Sequence, residues 1–173
     1  MTRGLIWTQV LIPFVWVASI LSATTGGVRD NSVPTTRART SEVLREYITA
    51  LLSKGPTDVY FADDIVVTMV DLDQQFVGRE AVEQAVVNLH QVAFTAAPEV
   101  SQFIVGSGIA SAEIVFTGIH IGDFLGIPAT GREVRVPYVA VWELADDKIA
   151  AIRMYGPASG LIEQITASAT LAS

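Results

Sequence analysis

The two histidines, His90 and His120, are the side chains of this 173-residue chain that could exchange a proton near pH 7. A neutral imidazole at that pH serves as a general acid or a general base. The chain has no cysteine, which excludes disulfides, thiolate nucleophiles and cysteine-ligated metals. Two histidines without clustered carboxylates do not make a metal site. We therefore predict no metal, and no motif in the chain indicates a nucleotide or flavin cofactor.

His120 is the first candidate for catalysis. It lies in the β-branched run 110–121, on the same strand face as Phe116 and Gly118. It could act as an acid or base in a pocket, or it could be a buried histidine that hydrogen-bonds a backbone carbonyl. His90 follows the apolar stripe of a predicted helix and is expected at the rim of a pocket, as a substrate-binding residue.

Tyr138 and Trp142 are the second pair of candidates. They share one face of the alternating run 133–144 with Ala140, because side chains two residues apart on a strand point the same way. A tyrosine hydroxyl can donate a hydrogen bond to a carbonyl, and a tryptophan ring can stack on a planar ligand. Ordinary core packing is the alternative interpretation of both residues.

Helical and strand periodicities predict the elements that position these side chains. Apolar spacing indicates helices over 41–52, 79–94 and 160–167, and strands over 65–70, 101–105, 110–121, 133–144 and 148–155. Residues 71–75 are predicted as a turn. The order predicts an α+β fold, in which a curved, mostly antiparallel sheet is wrapped by helices into a cone with a central pocket.

Composition limits the partners. Half of the residues are apolar, 17% are charged and the net charge is −7. This composition excludes intrinsic disorder, and an acidic chain is a poor partner for nucleic acid.

The amino-terminal part differs from the rest. Residues 4–23 carry no charge and are about as long as a bilayer is thick, so we predict a membrane anchor within residues 1–23. A cleaved export signal and a misplaced start codon are the alternatives. The few flanking arginines favour a cytoplasmic main domain.

Residues 24–40 are predicted as a linker, 41–167 as the folded domain and 168–173 as a tail.

The run FTGIHIGDFLGIPATGR over residues 116–132 resembles the SnoaL-like polyketide cyclases. These belong to the nuclear-transport-factor-like superfamily, with ketosteroid isomerase and limonene epoxide hydrolase as relatives. Residues 60–66, 77–82 and 160–165 are similar to other parts of that family. The resemblance implies the cone fold, a small apolar molecule as partner and a homodimer. It also implies cyclase or isomerase activity on an apolar, carbonyl-bearing natural-product intermediate.

The family's acid and base positions are apolar in this chain. The cyclases' catalytic aspartate matches Met154, their histidine matches Ala140, and the isomerases' aspartate matches Met69. The resemblance thus predicts an enzyme in which substrate folding in an apolar pocket matters more than acid–base catalysis.

The predicted site of that enzyme has two parts. Phe116, Trp142, Met154, Met69, Ala140 and His90 would contact substrate, and His120 or Tyr138 would polarise its carbonyl. Two alternatives remain: a membrane-tethered ligand-binding domain without catalysis, and a dimerisation module.

Overall fold

A computed structural model of the chain describes residues 35–167. These residues form three α-helices, α1 Arg37–Leu52, α2 Arg79–Val87 and α3 Pro157–Thr166. They also form six strands: β1 Phe61–Met69, β2 Gln74–Val77, β3 Glu99–Val105, β4 Ile109–Ile119, β5 Glu133–Ala145 and β6 Lys148–Tyr155. A 3₁₀ helix, Asp58–Tyr60, precedes β1, and a π-helical segment, Asn88–Ala93, follows α2.

The strands form one sheet in the order β2-β1-β6-β5-β4-β3. Only β1 and β6 pair in parallel, and the other neighbours are antiparallel. Register shifts occur in the β1–β6, β3–β4 and β5–β6 pairs. Such irregularities bend strands and increase their twist, which curves the sheet around its inner face. The predicted α+β class with a curved, mostly antiparallel sheet is confirmed.

Helix α1 begins earlier than the sequence predicted. The hydroxyl oxygen of Thr36 accepts a hydrogen bond from the Arg39 amide at 3.2 Å, so Thr36 is the N-cap and the helix begins at Arg37 instead of residue 41. Thr40 lies inside the helix and is fully buried; its hydroxyl accepts from the Gly108 amide. The carboxyl end of the predicted linker 24–40 is therefore helical.

The strand β5 shows the predicted alternation. Val134, Val136, Ala140, Trp142 and Leu144 are buried, whereas the intervening positions are mostly exposed. The short edge strand β2 was missed, because the prediction of a turn over 71–75 overlaps its first two residues. Four residues are too few for an alternation pattern to be recognised.

The second helix changes type before it ends. The sequence predicted one helix over 79–94, and the structure has α2 followed by the π-helical segment. The end of this segment is held by the Ala93 carbonyl, which accepts from the amides of Ile121 at 2.8 Å and Gly122 at 3.1 Å. The loop after β4 thereby fixes the position of the π-helical segment.

Within residues 35–167, no helix is long and apolar enough to cross a membrane. The predicted anchor or signal in residues 1–23, the linker up to residue 34 and the tail 168–173 lie outside the described residues.

Candidate functional site

A cavity of about 160 Å³ lies between the inner face of the sheet, helix α1 and the α2–π-helical run. Most of its wall is aliphatic or aromatic. The polar side chains among its lining residues are Tyr47, Asn88, His90, Tyr138 and Trp142. No carboxylate, lysine or arginine of the described residues lines it, so its interior is uncharged when His90 is neutral.

Six of the eight predicted site residues line this cavity. They are Met69, His90, Tyr138, Ala140, Trp142 and Met154. Three of them are neighbours across the sheet, because Met154 of β6 pairs with both Met69 of β1 and Ala140 of β5. The positions where the resemblance places acids and bases thus form one continuous apolar strip on the cavity wall.

Two tyrosines and a tryptophan provide the neutral donors of the cavity. Burial raises the pKa of the Tyr138 phenol, and burial followed by the neighbouring Tyr138 raises that of Tyr47. Both hydroxyls therefore stay protonated at any physiological pH. The indole Nε1 of Trp142 is buried without a hydrogen-bond partner among the described residues. These N–H and O–H groups could donate to an oxygen atom of a ligand.

His90 lies in the π-helical segment, and its environment sets its tautomer. Nδ1 is 3.0 Å from the carbonyl oxygen of Val86. A carbonyl only accepts, so Nδ1 carries the proton and Nε2 is the unprotonated nitrogen of the neutral ring. Nε2 is buried and has no partner within residues 35–167. Burial lowers the pKa of His90, partly opposed by the bond to Val86.

The lowered pKa of His90 predicts a pH dependence of stability. Unfolding restores its ordinary pKa of about 6.5, so the unfolded chain binds an additional proton below that pH. The free energy of unfolding should fall as the pH drops from 8 through 6.5 towards the folded-state value. The other titratable groups among the described residues of the cavity wall are Tyr47 and Tyr138, which stay neutral throughout. Urea denaturation of wild type and His90→Gln at pH 8 and pH 5.5 tests this. Equal losses in both proteins would contradict it.

His120 does not line the cavity, so the prediction of a catalytic His120 is corrected. Its ring is fully buried and stacks on Phe94 with centroids 4.9 Å apart. Nδ1 accepts from the Thr130 amide at 3.3 Å, and the His120 main chain exchanges hydrogen bonds with Gly131 and Arg132. His120 therefore anchors the loop between β4 and β5. This is the structural role that the sequence analysis gave as the alternative to catalysis, although the ring bonds a backbone amide instead of a carbonyl. Its main-chain carbonyl accepts from the Gly131 amide.

Phe116 also lies behind the cavity wall, contrary to the predicted contact with substrate. It is 1% exposed and its ring packs against those of His90, at 5.7 Å, and Phe94, at 5.4 Å. The ring of Phe116, on β4, therefore packs against the His90 ring and supports it.

Sequence reasoning missed Tyr47 and Asn88 as lining residues. Tyr47 lies within the predicted helix 41–52, whose apolar spacing gave no sign of a place in the cavity wall. No signal pointed to Asn88, because its exposure to the cavity depends on the π-helical geometry.

The model of the SnoaL-like domain family matches residues 32–152. That range covers more than half of the chain and includes every residue of the cavity wall except Met154. The chain belongs to the SnoaL-like domain family. No curated protein matches it. Within residues 35–167 of this SnoaL-like protein, no three potential metal ligands cluster.

Solved structures share the fold at low identity. A protein from Jannaschia sp. CCS1 assigned to the SnoaL-like polyketide cyclases is 19% identical, with a TM-score of 0.68 over 76% of this chain and 94% of its own. TsrD from Streptomyces laurentii is 21% identical, with a TM-score of 0.64 over 76% and 98%. A protein from Kribbella flavida assigned as a ketosteroid isomerase is 15% identical, with a TM-score of 0.58 over 71% and 81%.

Proposed function

We propose that this SnoaL-like domain binds a small, apolar, carbonyl-bearing molecule and catalyses its cyclisation or isomerisation chiefly by holding it in a reactive shape. The observation that supports this is the cavity itself: an apolar wall with neutral donors and no carboxylate among the described residues. Positioning of reacting groups can supply about 7–11 kcal/mol of barrier lowering in favourable cases. Substrate folding is therefore a sufficient source of catalysis in principle.

The size of the cavity limits the substrate. A volume of about 160 Å³ is close to that of an engineered apolar cavity of about 150 Å³ that holds benzene. One ring or a small bicyclic system is the part of the substrate that would be enclosed. Leu52 and Leu125, each 50% exposed, and Val100, 42% exposed, also line the cavity. The cavity opens at these residues, and a longer natural-product chain would extend outward there.

The neutral donors supply the recognition of the carbonyl. Tyr138 lies on β5 two residues before Ala140, and Trp142 lies two residues after it, so both face the cavity. The unpartnered Nε1 of Trp142 would gain a hydrogen bond from a ligand oxygen. A buried donor without an acceptor costs about 1–3 kcal/mol, and binding a carbonyl would recover that energy.

Filling the cavity should abolish binding of a small aromatic ketone. We expect 1-indanone to bind the full-length protein and Ala140→Leu to weaken that binding at least about tenfold, or about 1.4 kcal/mol. The 2%-exposed Ala140 has no room for three more carbons outside the cavity. Val139→Leu is the matched control, since the neighbouring Val139 is 38% exposed on the other sheet face. Calorimetric titration gives the affinities. Absence of binding to wild type, or equal affinities in the two variants, would contradict the proposal.

A ligand-binding domain without catalysis is the second candidate function. It is favoured by the apolar residues at the three sheet positions where the resemblance places acids and bases: Met69, Ala140 and Met154. Such a domain would bind 1-indanone with the same dependence on Ala140 and would turn over no substrate.

A membrane tether through residues 4–23 and homodimerisation remain predictions. Exposed Val139 and Tyr155, paired on β5 and β6, favour contact between copies through the outer face.

A further inference from the structure

We infer that His90 is the general base of this cavity and removes a proton from a carbon atom next to the substrate carbonyl. This rests on the proposed binding of a carbonyl compound and adds to it the reaction step and the residue that performs it. The sequence placed His90 only at the rim of the pocket and made His120 the candidate acid or base. The family's acid and base positions matched the apolar residues Met154, Met69 and Ala140.

The position of the His90 ring favours its role as a base. His90 lies in the π-helical segment Asn88–Ala93 and lines the cavity. π-Helical turns are rare and occur frequently at functional sites, where they change the direction of a side chain. The ring is held from two sides, by the Val86 carbonyl at Nδ1 and by the Phe116 ring 5.7 Å away. A base held this way needs little reorganisation before it accepts a proton.

Two residues that line the cavity also carry a buried polar atom without a partner among the described residues. Nε2 of His90 is a buried acceptor without a donor, and Nε1 of Trp142 is a buried donor without an acceptor. Buried polar groups without partners are uncommon because each costs free energy. A carbonyl compound satisfies both kinds of atom: its oxygen accepts from an N–H or O–H donor, and its acidic C–H faces a base.

The described residues of the cavity wall offer no base that would compete with His90. Its other polar lining groups are Tyr47, Asn88, Tyr138 and Trp142. Burial keeps the two phenols protonated, and amides and indoles do not accept protons near pH 7. Burial also lowers the pKa of His90, which keeps its imidazole in the unprotonated, basic form at neutral pH.

The proton transfer to His90 converts the substrate into an enolate. The α C–H bond breaks and its proton goes to Nε2 of His90. The C–H electron pair forms a carbon–carbon double bond, and the carbonyl π pair moves onto the oxygen to give an enolate. Hydrogen bonds from Tyr138 or Trp142 stabilise the charge on that oxygen. In an isomerisation, the imidazolium returns the proton at another carbon. In a cyclisation, the enolate carbon bonds a second carbonyl carbon, and the new alkoxide takes the proton from His90.

The test uses 5-nitrobenzisoxazole, a small bicyclic probe of general bases. A base removes the proton at C3, the C–H electrons form the nitrile, and the N–O bond breaks to give a coloured phenolate. We expect the full-length wild type to accelerate this reaction. The rate with His90→Gln should be lower than the wild-type rate by at least about 100-fold, because a general base usually contributes that much. The rate should rise with pH and level off above the lowered pKa of His90. Val139→Leu should keep the wild-type rate and profile.

Two measurements separate failure of this inference from failure of the proposed function. Titration of 1-indanone into wild type and His90→Gln reports binding without chemistry. Nitrogen-15 spectra of histidine-labelled protein report the tautomer directly, because the chain has only two histidines. Nδ1-protonated neutral His90 is expected. Three results would overturn the role of His90 and leave the proposed function standing. They are binding of 1-indanone without acceleration of the probe reaction, an unchanged rate in His90→Gln, and a His90 ring protonated at Nε2. Absence of 1-indanone binding would overturn the proposed function.

Discussion

Replacing Gly122 with alanine is expected to lower the free energy of unfolding by at least about 3 kcal/mol, at the high end for steric overpacking. A Cβ added at Gly122 would overlap the Val92 carbonyl oxygen and lie 3.1 Å from its carbon. Both backbones are held in place, since the amide of Gly122 donates to the Ala93 carbonyl. Neither segment can move away without breaking that bond. Urea denaturation followed by circular dichroism measures the loss.

The control for this change is Gly55→Ala. A Cβ there would meet only Ala50 and Ser53 at 3.6 Å, an ordinary contact distance. We expect a change within about 1 kcal/mol, since alanine mainly reduces the freedom of the unfolded chain. Equal stability of the two variants would mean that the loop after β4 does not fix the π-helical segment. Because His90 lies two residues before Val92, folded Gly122→Ala protein should also bind 1-indanone more weakly.

The change Met154→Asp is expected to destabilise the protein by roughly 2–4 kcal/mol at pH 8, and by much less near pH 4. The carboxyl would face a cavity whose described lining carries no cation. Full burial raises a carboxyl pKa by up to about 3–5 units. A smaller rise of about 1.5–3 units, at about 1.36 kcal/mol per unit, corresponds to the expected 2–4 kcal/mol. The folded state would thus bind the proton more tightly than the unfolded state. Below the unfolded pKa of about 3.9, the carboxyl is protonated in both states and the penalty for burying its charge is absent. The free energy of unfolding then falls as the pH rises above that value.

The control here is Met154→Leu, which keeps an apolar side chain of similar volume and should cost less than about 1.5 kcal/mol at both pH values. Denaturation of both variants between pH 4 and pH 8 gives the comparison. A pH-independent cost in Met154→Asp would show that water reaches this part of the wall. The cavity would then be too polar for the proposed apolar ligand.

The strands were the most predictable part of this protein. The alternation in 133–144 predicted the face of β5 that carries Tyr138, Ala140 and Trp142, and the structure confirms it. A period of two relates neighbouring residues, so it is readable without tertiary information. The match of Ala140, Met154 and Met69 to one apolar strip also came from the sequence, through the family resemblance.

The histidines were the least predictable part. Phe116 and His120 share strand parity, yet both point into the cluster around Phe94 and not into the cavity. Parity selects a face of the sheet, and the curvature of the sheet divides that face between the cavity and the packed cluster. Helical periodicity placed His90 beside the apolar stripe, but a period of 3.6 cannot show the change to π-helical geometry at Asn88.

The α+β class, the family and the apolar character of the pocket wall could be predicted from the sequence, because these follow from local periodicity and a contiguous motif. Which histidine lines the cavity is visible only in the folded chain. That depends on contacts between distant segments: the Ala93 carbonyl with the amides of Ile121 and Gly122, and Phe116 against the His90 ring. Such contacts are set by packing and leave no periodic trace in the chain.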